Sequence, residues 1–363
     1  MISYQGRNRA TVNYLKTIYF DHPEWTQCNI SLMPATWIKY RERLEEVVLA
    51  HPRCFPSYVK GSRDYDDIGT HPLYHYGNYT DGWGVEWRNI EQGLDSISVN
   101  HPLEDWDALD SFVPPDPMVQ GAFGKQPDWE QVRRDMAESR RKGGLAAGGG
   151  LPHGFMYMYL YYLRGFDNLM LDLATDDPRL HRLIAMLESY NVAVVNKYLE
   201  LGAEIMGFGD DLGNQKALPM SPAMWHKFIK PSYSRILAPC RQRDIPVTLH
   251  TDGHVLEIIP DLIEVGVRLL NPQIRANGLE GLQRMARGKV ALLQDLDRQL
   301  FPFATPGELE EHIGAVFEGL YLPEGGLMFH AECEPDVPLN NIDAICTILE
   351  RICKLPEPEV QLA

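Results

Sequence analysis

The chain has 363 residues, a formal net charge of −16 and 44% hydrophobic residues. This length fits one large α/β barrel or two ordinary domains, and the hydrophobic content is enough for a large buried core. The acidic balance argues against a nucleic-acid or anionic-membrane surface, because such surfaces need clustered Lys and Arg.

The six cysteines lie far apart in the sequence and include no CxxC pair, so no disulfide framework is expected. The N-terminal residues have no apolar segment typical of a signal peptide. No apolar run reaches the roughly 18 to 20 residues that a membrane helix needs. These features predict a cytoplasmic protein without membrane association.

The first part of the chain, residues 1–142, is irregular and rich in aromatic residues and prolines. Segment 28–34 is a candidate strand, and segment 35–52 is a candidate helix. Segment 84–103 is typical of a β-hairpin insertion, and segment 128–144 of a surface helix. We expect this part to supply the first strands of a barrel together with a cap over its mouth.

Residues 143–363 alternate strand-like and helix-like segments with regularity. This alternation indicates a parallel sheet, and the apolar strands match strands buried on both faces. An open doubly wound sheet also fits. Polar residues at the carboxyl ends of several strands favour the barrel, because barrel enzymes build their active sites there. The prediction is a single-domain (β/α)₈ barrel over residues 1–363, with an N-terminal cap and hairpin extension. Its expected later strands are 203–213, 245–253, 267–273, 289–297 and 325–334.

The strongest candidate site is the pair His250 and Asp252, at the end of an apolar strand. Residues two apart on a strand point to the same side, so both side chains can reach the mouth. An imidazole and a carboxylate so placed can bind a metal or share a proton. The alternative is a helix cap by Asp252 and a hydrogen-bonded core histidine at position 250.

A second candidate site is formed by His330, Glu332 and Cys333 at the end of the last strand. A thiolate beside an imidazole is a good ligand set for zinc. The alternative for Cys333 is a buried free cysteine. Together the two strand ends give four candidate metal ligands: His250, Asp252, Glu332 and Cys333.

Two further motifs precede these sites. The adjacent carboxylates of Asp210 and Asp211 follow a predicted strand, where they are candidates for catalysis or for orienting the substrate. Capping of the next segment is the rival explanation. The glycine-rich run 148–154, which contains His153, lets the backbone approach a ligand closely, but it lacks phosphate-loop spacing.

Aromatic residues cluster in 74–87 and in 155–163. The first cluster lies in a predicted loop and could line a flat apolar pocket or partly cover the mouth, although interdomain packing explains it equally well. Much of the second cluster must belong to the core. The candidate substrate-binding residues are Tyr74, Tyr76, Trp83, His153, Tyr157, Asn271, Gln273 and His330.

The segment 206–273, from MGFGDDLGNQKALPMSPAMWHKFIKPSYSRI to VTLHTDGHVLEIIPDLIEVGVRLLNPQ, resembles the core of the uroporphyrinogen decarboxylase superfamily. DGWGVEWRN and HPLEDWDALDSFVPPDP resemble its less conventional members. The likeness extends over roughly residues 75 to 350. True uroporphyrinogen decarboxylases share an arginine-rich RQAGRY loop that binds substrate carboxylates, and nothing like it occurs here.

The resemblance is therefore closer to the branch of corrinoid-dependent methyltransferases. Members of that branch typically hold Zn²⁺ with a His-x-Cys pair and a later cysteine. Here the pair is His250-x-Asp252, and Cys333 matches the later cysteine approximately, so the resemblance implies a site of His250, Asp252 and Cys333. The chain has no D-x-H-x-x-G corrinoid motif, which implies a separate corrinoid protein as partner.

These features together predict a methyltransferase that moves a methyl group between a small donor and a corrinoid protein, with zinc as the candidate cofactor. The donor would be an ether, amine or aromatic compound. One alternative is a decarboxylase acting on a tetrapyrrole or other carboxylate. Another is a non-catalytic barrel that binds a ligand. The sequence does not indicate the oligomeric state.

Overall fold

The computed structural model describes residues 4–123 and 125–358. Their contacts divide the chain into two compact units. The first unit comprises the described residues up to Val12, Gly77–Arg88 and Ser96–Asn271, and the second comprises Asn13–Tyr76, Asn89–Asp95 and the described residues from Pro272. The sequence changes near residue 143 from an irregular part to alternating strand-like and helix-like segments, but this point is not a boundary between the two units.

The first unit contains four parallel strands, in the order β5 (Ala147–Gly148), β6 (Ile205–Gly209), β7 (Val247–Thr251) and β8 (Val267–Pro272). The register places Gly209 of β6 beside His250 of β7. The side chains of these strands are largely buried, as expected for parallel strands between helices.

Helices connect these strands. Between β5 and β6 lie α5 (Tyr157–Arg164), α6 (Phe166–Thr175) and α7 (Pro178–Glu200). Gly165, with a φ of 83°, separates α5 from α6. The N-cap of α7 is Asp177, whose side chain accepts a hydrogen bond from the Arg179 N–H.

Between β6 and β7, the side chain of Ser221 caps α8 (Pro222–Met224). This helix continues through a π-helical turn (Trp225–Ile229) into α9 (Lys230–Gln242). Helix α10 (Ile259–Glu264) precedes β8, and α4 (Trp129–Arg141) precedes β5.

A small antiparallel sheet of β2 (Gly77–Thr80), β3 (Glu86–Asn89) and β4 (Ile97–Asn100) precedes these elements. Glu86 pairs with Asn100, and Trp87 with Ser98. The hairpin predicted over 84–103 is confirmed by this pairing. In the turn between β2 and β3, Asp81 accepts hydrogen bonds from the N–H groups of Trp83 and Val85 and from the indole N–H of Trp87.

The second unit contains three parallel strands, in the order β1 (Gln27–Leu32), β10 (Leu327–Cys333) and β9 (Ala291–Asp295). Helix α1 (Arg9–Tyr19) precedes β1. Helices α2 (Pro34–Tyr40) and α3 (Glu42–Ala50) follow it, where one helix over 35–52 was expected. Arg41 has a φ of 50° and separates α2 from α3. The remaining helices of this unit are α11 (Ile274–Asn277), α12 (Leu279–Met285), α13 (Pro306–Leu320) and α14 (Leu339–Ile352).

These elements confirm an α/β fold. The described residues contain seven parallel strands, so the eighth strand of a closed barrel stays a prediction. The N-terminal cap and the single-domain organisation stay predictions as well. Across residues 4–123 and 125–358, none of the helices has the length and apolar character needed to span a bilayer.

Candidate active site

Polar side chains of the first unit meet where three parallel strands end. Asp210 and Asp211 follow β6, His250 lies near the end of β7 with Asp252 directly after it, and Asn271 lies near the end of β8. Because the carboxyl ends of neighbouring parallel strands lie at the same edge of a sheet, these residues form one cluster. The hydrogen bond from the Asp210 N–H to the His250 carbonyl oxygen, 3.0 Å, joins two of the ends directly.

His250 is held by polar groups at both ring nitrogens. Its Nδ1 lies 2.8 Å from Asn271 Oδ1, and its Nε2 lies 3.3 Å from Asp252 Oδ1. Since the amide oxygen can only accept, Nδ1 carries the proton of that hydrogen bond, and Nε2 faces the carboxylates. Burial disfavours the imidazolium, but the hydrogen bond to Asp252 and the charges of Asp252 and Asp211 outweigh it and raise the pKa of His250 to about 9.

Asp211 connects His250 to a second histidine. Its Oδ1 lies 3.1 Å from His153 Nε2 and 3.9 Å from His250 Nε2, and it accepts a hydrogen bond from the Asp252 N–H. Burial opposes ionisation of Asp211, but the hydrogen bond from His153 and the charges of the two imidazoles outweigh it, so the pKa of Asp211 is lowered. The pKa of His153 is raised, because its hydrogen bond to Asp211 and the charge of that carboxylate outweigh its own burial.

The position of His153 depends on a glycine in β6. A Cβ added to Gly209 would lie 2.5 Å from His153 Nδ1, so a larger residue would displace the ring. The chain is fixed at the same point by a hydrogen bond of 2.7 Å from the Gly154 N–H to the Gly209 carbonyl oxygen. Gly209 therefore lets the imidazole of His153 lie close to the strand and reach Asp211.

His153, Asp211 and His250 together meet the geometric requirement for a metal site. One ligand atom from each lies within 4.8 Å of the other two. Zinc is commonly bound by imidazole nitrogens and carboxylate oxygens, and catalytic zinc sites use three protein ligands and keep one position open. The side chains of His153, Asp211 and His250 are 47%, 26% and 30% exposed, so a small molecule can approach them.

Asp210 has a different environment from its neighbour Asp211. Its side chain is fully buried and accepts hydrogen bonds from the N–H groups of Tyr157 and Met158 and from the hydroxyl of Tyr233. Burial raises its pKa to about 6, although these three donors favour the ionised form. Asp210 thus attaches the start of α5 to the end of β6, as the capping explanation expected, and its carboxylate does not face the exposed part of the cluster.

The remaining candidate metal ligands lie in the second unit. Arg298 pairs with Asp295 and with Glu332, and His330 Nδ1 lies 3.2 Å from Asp295 Oδ1. The thiol of Cys333 is fully buried, and burial raises its pKa well above the usual value, so it is a neutral thiol at physiological pH. Gln273 pairs with Asp295 in an isolated bridge at the start of α11.

The loop aromatics do not share one environment. Trp83 is 2% exposed and packs against Tyr190 and Tyr159, with ring centroids 5.1 and 6.0 Å apart, so it belongs to the core of the first unit rather than to a lid. Tyr157 is likewise buried, and its backbone N–H donates a hydrogen bond to Asp210. In the second unit, Tyr76 is 73% exposed, and Tyr74 is half-buried beside His71. Substrate binding by Tyr74, Tyr76, Trp83 and Tyr157 stays a prediction.

The sequence indicated His153 as a substrate-binding residue and Asp211 as a catalytic residue, but neither as a metal ligand. The only signal was a histidine directly after a glycine run and a second aspartate after a strand. Neither pattern indicates that the two side chains meet, because they are separated by α5, α6 and α7 in the sequence. The contact between them is a property of the tertiary structure.

Comparison with known proteins gives a family match and a fold match. Residues 145–352, more than half of the chain, match the family model of uroporphyrinogen decarboxylase (URO-D). Among solved structures, a methyltransferase from Methanosarcina mazei is similar, with a TM-score of 0.61 and 17% identity, over 94% of this chain and 98% of that one. A dihydropteroate synthase from Xanthomonas albilineans with 4-aminobenzoic acid matches over 46% of this chain and 62% of that chain, at 17% identity and a TM-score of 0.30. No curated protein matches.

Proposed function

Because the chain belongs to the uroporphyrinogen decarboxylase family, we propose that it is a methyltransferase-like enzyme with a zinc site formed by His153, Asp211 and His250. The observation that carries the proposal is the approach of these three ligand atoms to within 4.8 Å at the carboxyl ends of parallel strands. The fold similarity to a methyltransferase supports the reaction class. Family resemblance supports a separate corrinoid protein as methyl acceptor or donor.

The three residues fit zinc by the chemistry of their donor atoms. Asp211 is held as a carboxylate by its two histidine neighbours, and both imidazoles direct Nε2 toward its Oδ1. Asn271 fixes the orientation of His250 by accepting from its Nδ1, which is how a second layer of residues commonly orients a metal-binding imidazole. Bound zinc would act as a Lewis acid and polarise the atom of the donor to which the transferred methyl group is bonded.

The chain's own residues perform the remaining work of the site. Asp252 places a second negative charge 3.3 Å from His250 Nε2, which balances the charge of a cation there. Asp210 holds the start of α5 against β6 and so fixes the segment that follows His153. We propose that a small ether, amine or aromatic methyl donor binds at the exposed side of His153, where half of the imidazole surface is open.

The zinc site predicts a specific pattern of metal content. His153→Ala and Asp211→Asn should each reduce bound zinc to a small fraction of one equivalent, because each variant removes one of three ligands. Cys333→Ser should retain zinc, because that thiol is fully buried and protonated. Elemental analysis of the purified proteins after dialysis against zinc measures the difference. Zinc loss in Cys333→Ser with retention in His153→Ala would favour instead the site of His250, Asp252 and Cys333.

Asp252→Asn tests the role of the second carboxylate. The variant keeps the shape of the side chain and removes its charge next to His250 Nε2. We expect zinc affinity to fall by about 10- to 100-fold, the usual effect of altering a group that supports a metal ligand. A competitive titration with a chromophoric chelator measures it. Glu257→Gln is the matched control, because it removes the charge of a carboxylate that pairs with another histidine, His254, at 3.1 Å. Equal affinity in both variants would leave Asp252 with a capping role only.

A further inference from the structure

Two loops of the first unit lie against each other at the proposed zinc site. The β6 loop, residues 210–217, follows β6, and the β7 loop, residues 252–255, follows β7. The β6 loop carries the proposed ligand Asp211, and the β7 loop carries Asp252. The way in which the two loops are held together therefore decides where these two carboxylates lie.

Backbone hydrogen bonds join the two loops beyond the ends of their strands. The Gly213 N–H donates to the Asp252 carbonyl oxygen over 3.3 Å. The His254 N–H donates in the opposite direction, to the Asn214 carbonyl oxygen, over 2.8 Å. The loops thus continue the parallel pairing of β6 with β7. Bonds of this kind need two backbones that approach each other closely.

Two side chains add further hydrogen bonds to this contact. Thr251 Oγ1 accepts from the Leu212 N–H over 3.1 Å, and both residues are buried. Asp211 Oδ1 accepts from the Asp252 N–H over 3.0 Å. This second bond acts on the proposed ligand atom itself, because the same Oδ1 lies 3.1 Å from His153 Nε2. A shift of the β7 loop would therefore move a metal-binding oxygen.

The close approach of the loops depends on glycine at two facing positions. A Cβ added to Gly213 would lie 2.4 Å from both the N and the O atom of His254. A Cβ added to Gly253 would lie 2.0 Å from the Gly213 carbonyl oxygen, and Gly253 has a φ of 81°, which favours glycine. These neighbours are backbone atoms, which cannot turn away as the end of a flexible side chain can. A larger residue at either position must therefore push the loops apart.

We propose that Gly213 and Gly253 are positioning residues of the zinc site, an inference that rests on the proposed function. Neither has a side chain that can bind a metal. Their contact keeps the β6 and β7 loops at the distance at which the Asp252 N–H holds Asp211 Oδ1. The ligand oxygen is thus oriented before a cation binds, which strengthens metal binding because less conformational freedom is lost.

Gly213→Ala tests the contact with the addition of a single methyl group. We expect the zinc affinity to fall by about 10- to 100-fold in a competitive titration with a chromophoric chelator. We also expect an altered visible absorption spectrum when Co²⁺ replaces zinc, because that spectrum depends on the coordination geometry. Gly314→Ala on α13 is the matched control, because a Cβ added there meets open space.

Gly253→Ala should weaken zinc binding more than Gly213→Ala, because it combines the clash with a φ that alanine does not favour. Its control is Gly278→Ala. Gly278 also has a positive φ, 68°, but a Cβ added to it meets open space. Normal zinc affinity in Gly278→Ala with weakened affinity in Gly253→Ala would assign the effect to the contact between the loops rather than to local backbone strain.

Thr251→Val tests the same contact without a clash, so it decides the question even where the glycine variants do not fold. The variant keeps the shape of the side chain and removes the oxygen that accepts from the Leu212 N–H. We expect a smaller loss of zinc affinity than in Gly213→Ala. In the metal-free full chain, hydrogen–deuterium exchange of peptides that cover 211–214 and 252–255 should be faster than in wild type.

The inference is refuted if wild type, Gly213→Ala and Thr251→Val bind zinc with the same affinity and give the same Co²⁺ spectrum. A lower urea midpoint of the variants with unchanged zinc affinity has the same meaning, since it would give the glycines a role in folding alone. A wild-type protein that binds no zinc refutes the proposed function and this inference with it. The two failures are therefore distinguished by the zinc content of the wild type.

Discussion

His250→Ala is expected to abolish zinc binding and to reduce methyl transfer by on the order of 10² to 10⁴, while the fold is kept. The substitution removes the proposed ligand, whose Nε2 lies 3.3 Å from Asp252 Oδ1 and 3.9 Å from Asp211 Oδ1. The side chain is 30% exposed at the end of β7, so its removal should change the free energy of unfolding by about 1 kcal/mol or less.

The measurements are zinc content, corrinoid-dependent demethylation of a candidate donor and urea-induced unfolding. His181→Ala is the matched control, because His181 is an exposed histidine of the same unit that is paired with Asp176. Full activity of His250→Ala with normal unfolding would refute a catalytic role for this strand end. Formation of coproporphyrinogen from uroporphyrinogen by wild type, lost in the variant, would identify the site as a decarboxylase site instead.

Asp210→Asn is expected to destabilise the protein by about 2 to 3 kcal/mol, a large effect for a change of one atom. The carboxylate accepts from three donors, namely the N–H groups of Tyr157 and Met158 and the Tyr233 hydroxyl. An asparagine amide has one acceptor oxygen, so its NH₂ group would face a donor and leave buried hydrogen-bonding groups unsatisfied. Urea unfolding at pH 8, where a carboxyl with a pKa of about 6 is ionised, measures the difference.

Asp128→Asn is the control for this prediction. Asp128 accepts a hydrogen bond from the Gln131 N–H at the exposed start of α4, where asparagine caps about as well as aspartate. Its unfolding midpoint should therefore be close to that of wild type. If Asp210→Asn unfolds at the same urea concentration as Asp128→Asn, the three buried hydrogen bonds do not require a carboxylate, and a direct role of Asp210 in the reaction regains support.

The regular part of the fold was predictable because it depends on local patterns. Short apolar runs bounded by polar residues are typical of buried strands, and this pattern predicted strands over 245–253 and 325–334. The structure has β7 and β10 within these two segments. The break between α2 and α3 was not predicted, because Arg41 adopts a φ of 50° that its residue type does not favour.

The sequence by itself determined the class of fold, the family and the strand ends at which His250 and Asp252 lie, because periodicity, length and motif spacing are read along the chain. Only the tertiary structure decided which polar side chains meet. The contact of Asp211 with His153 and the burial of Asp210 both depend on packing between segments far apart in the sequence. Two neighbouring aspartates therefore receive opposite roles: one faces the imidazoles and stays ionised, and the other is fully enclosed by hydrogen-bond donors from α5 and α9.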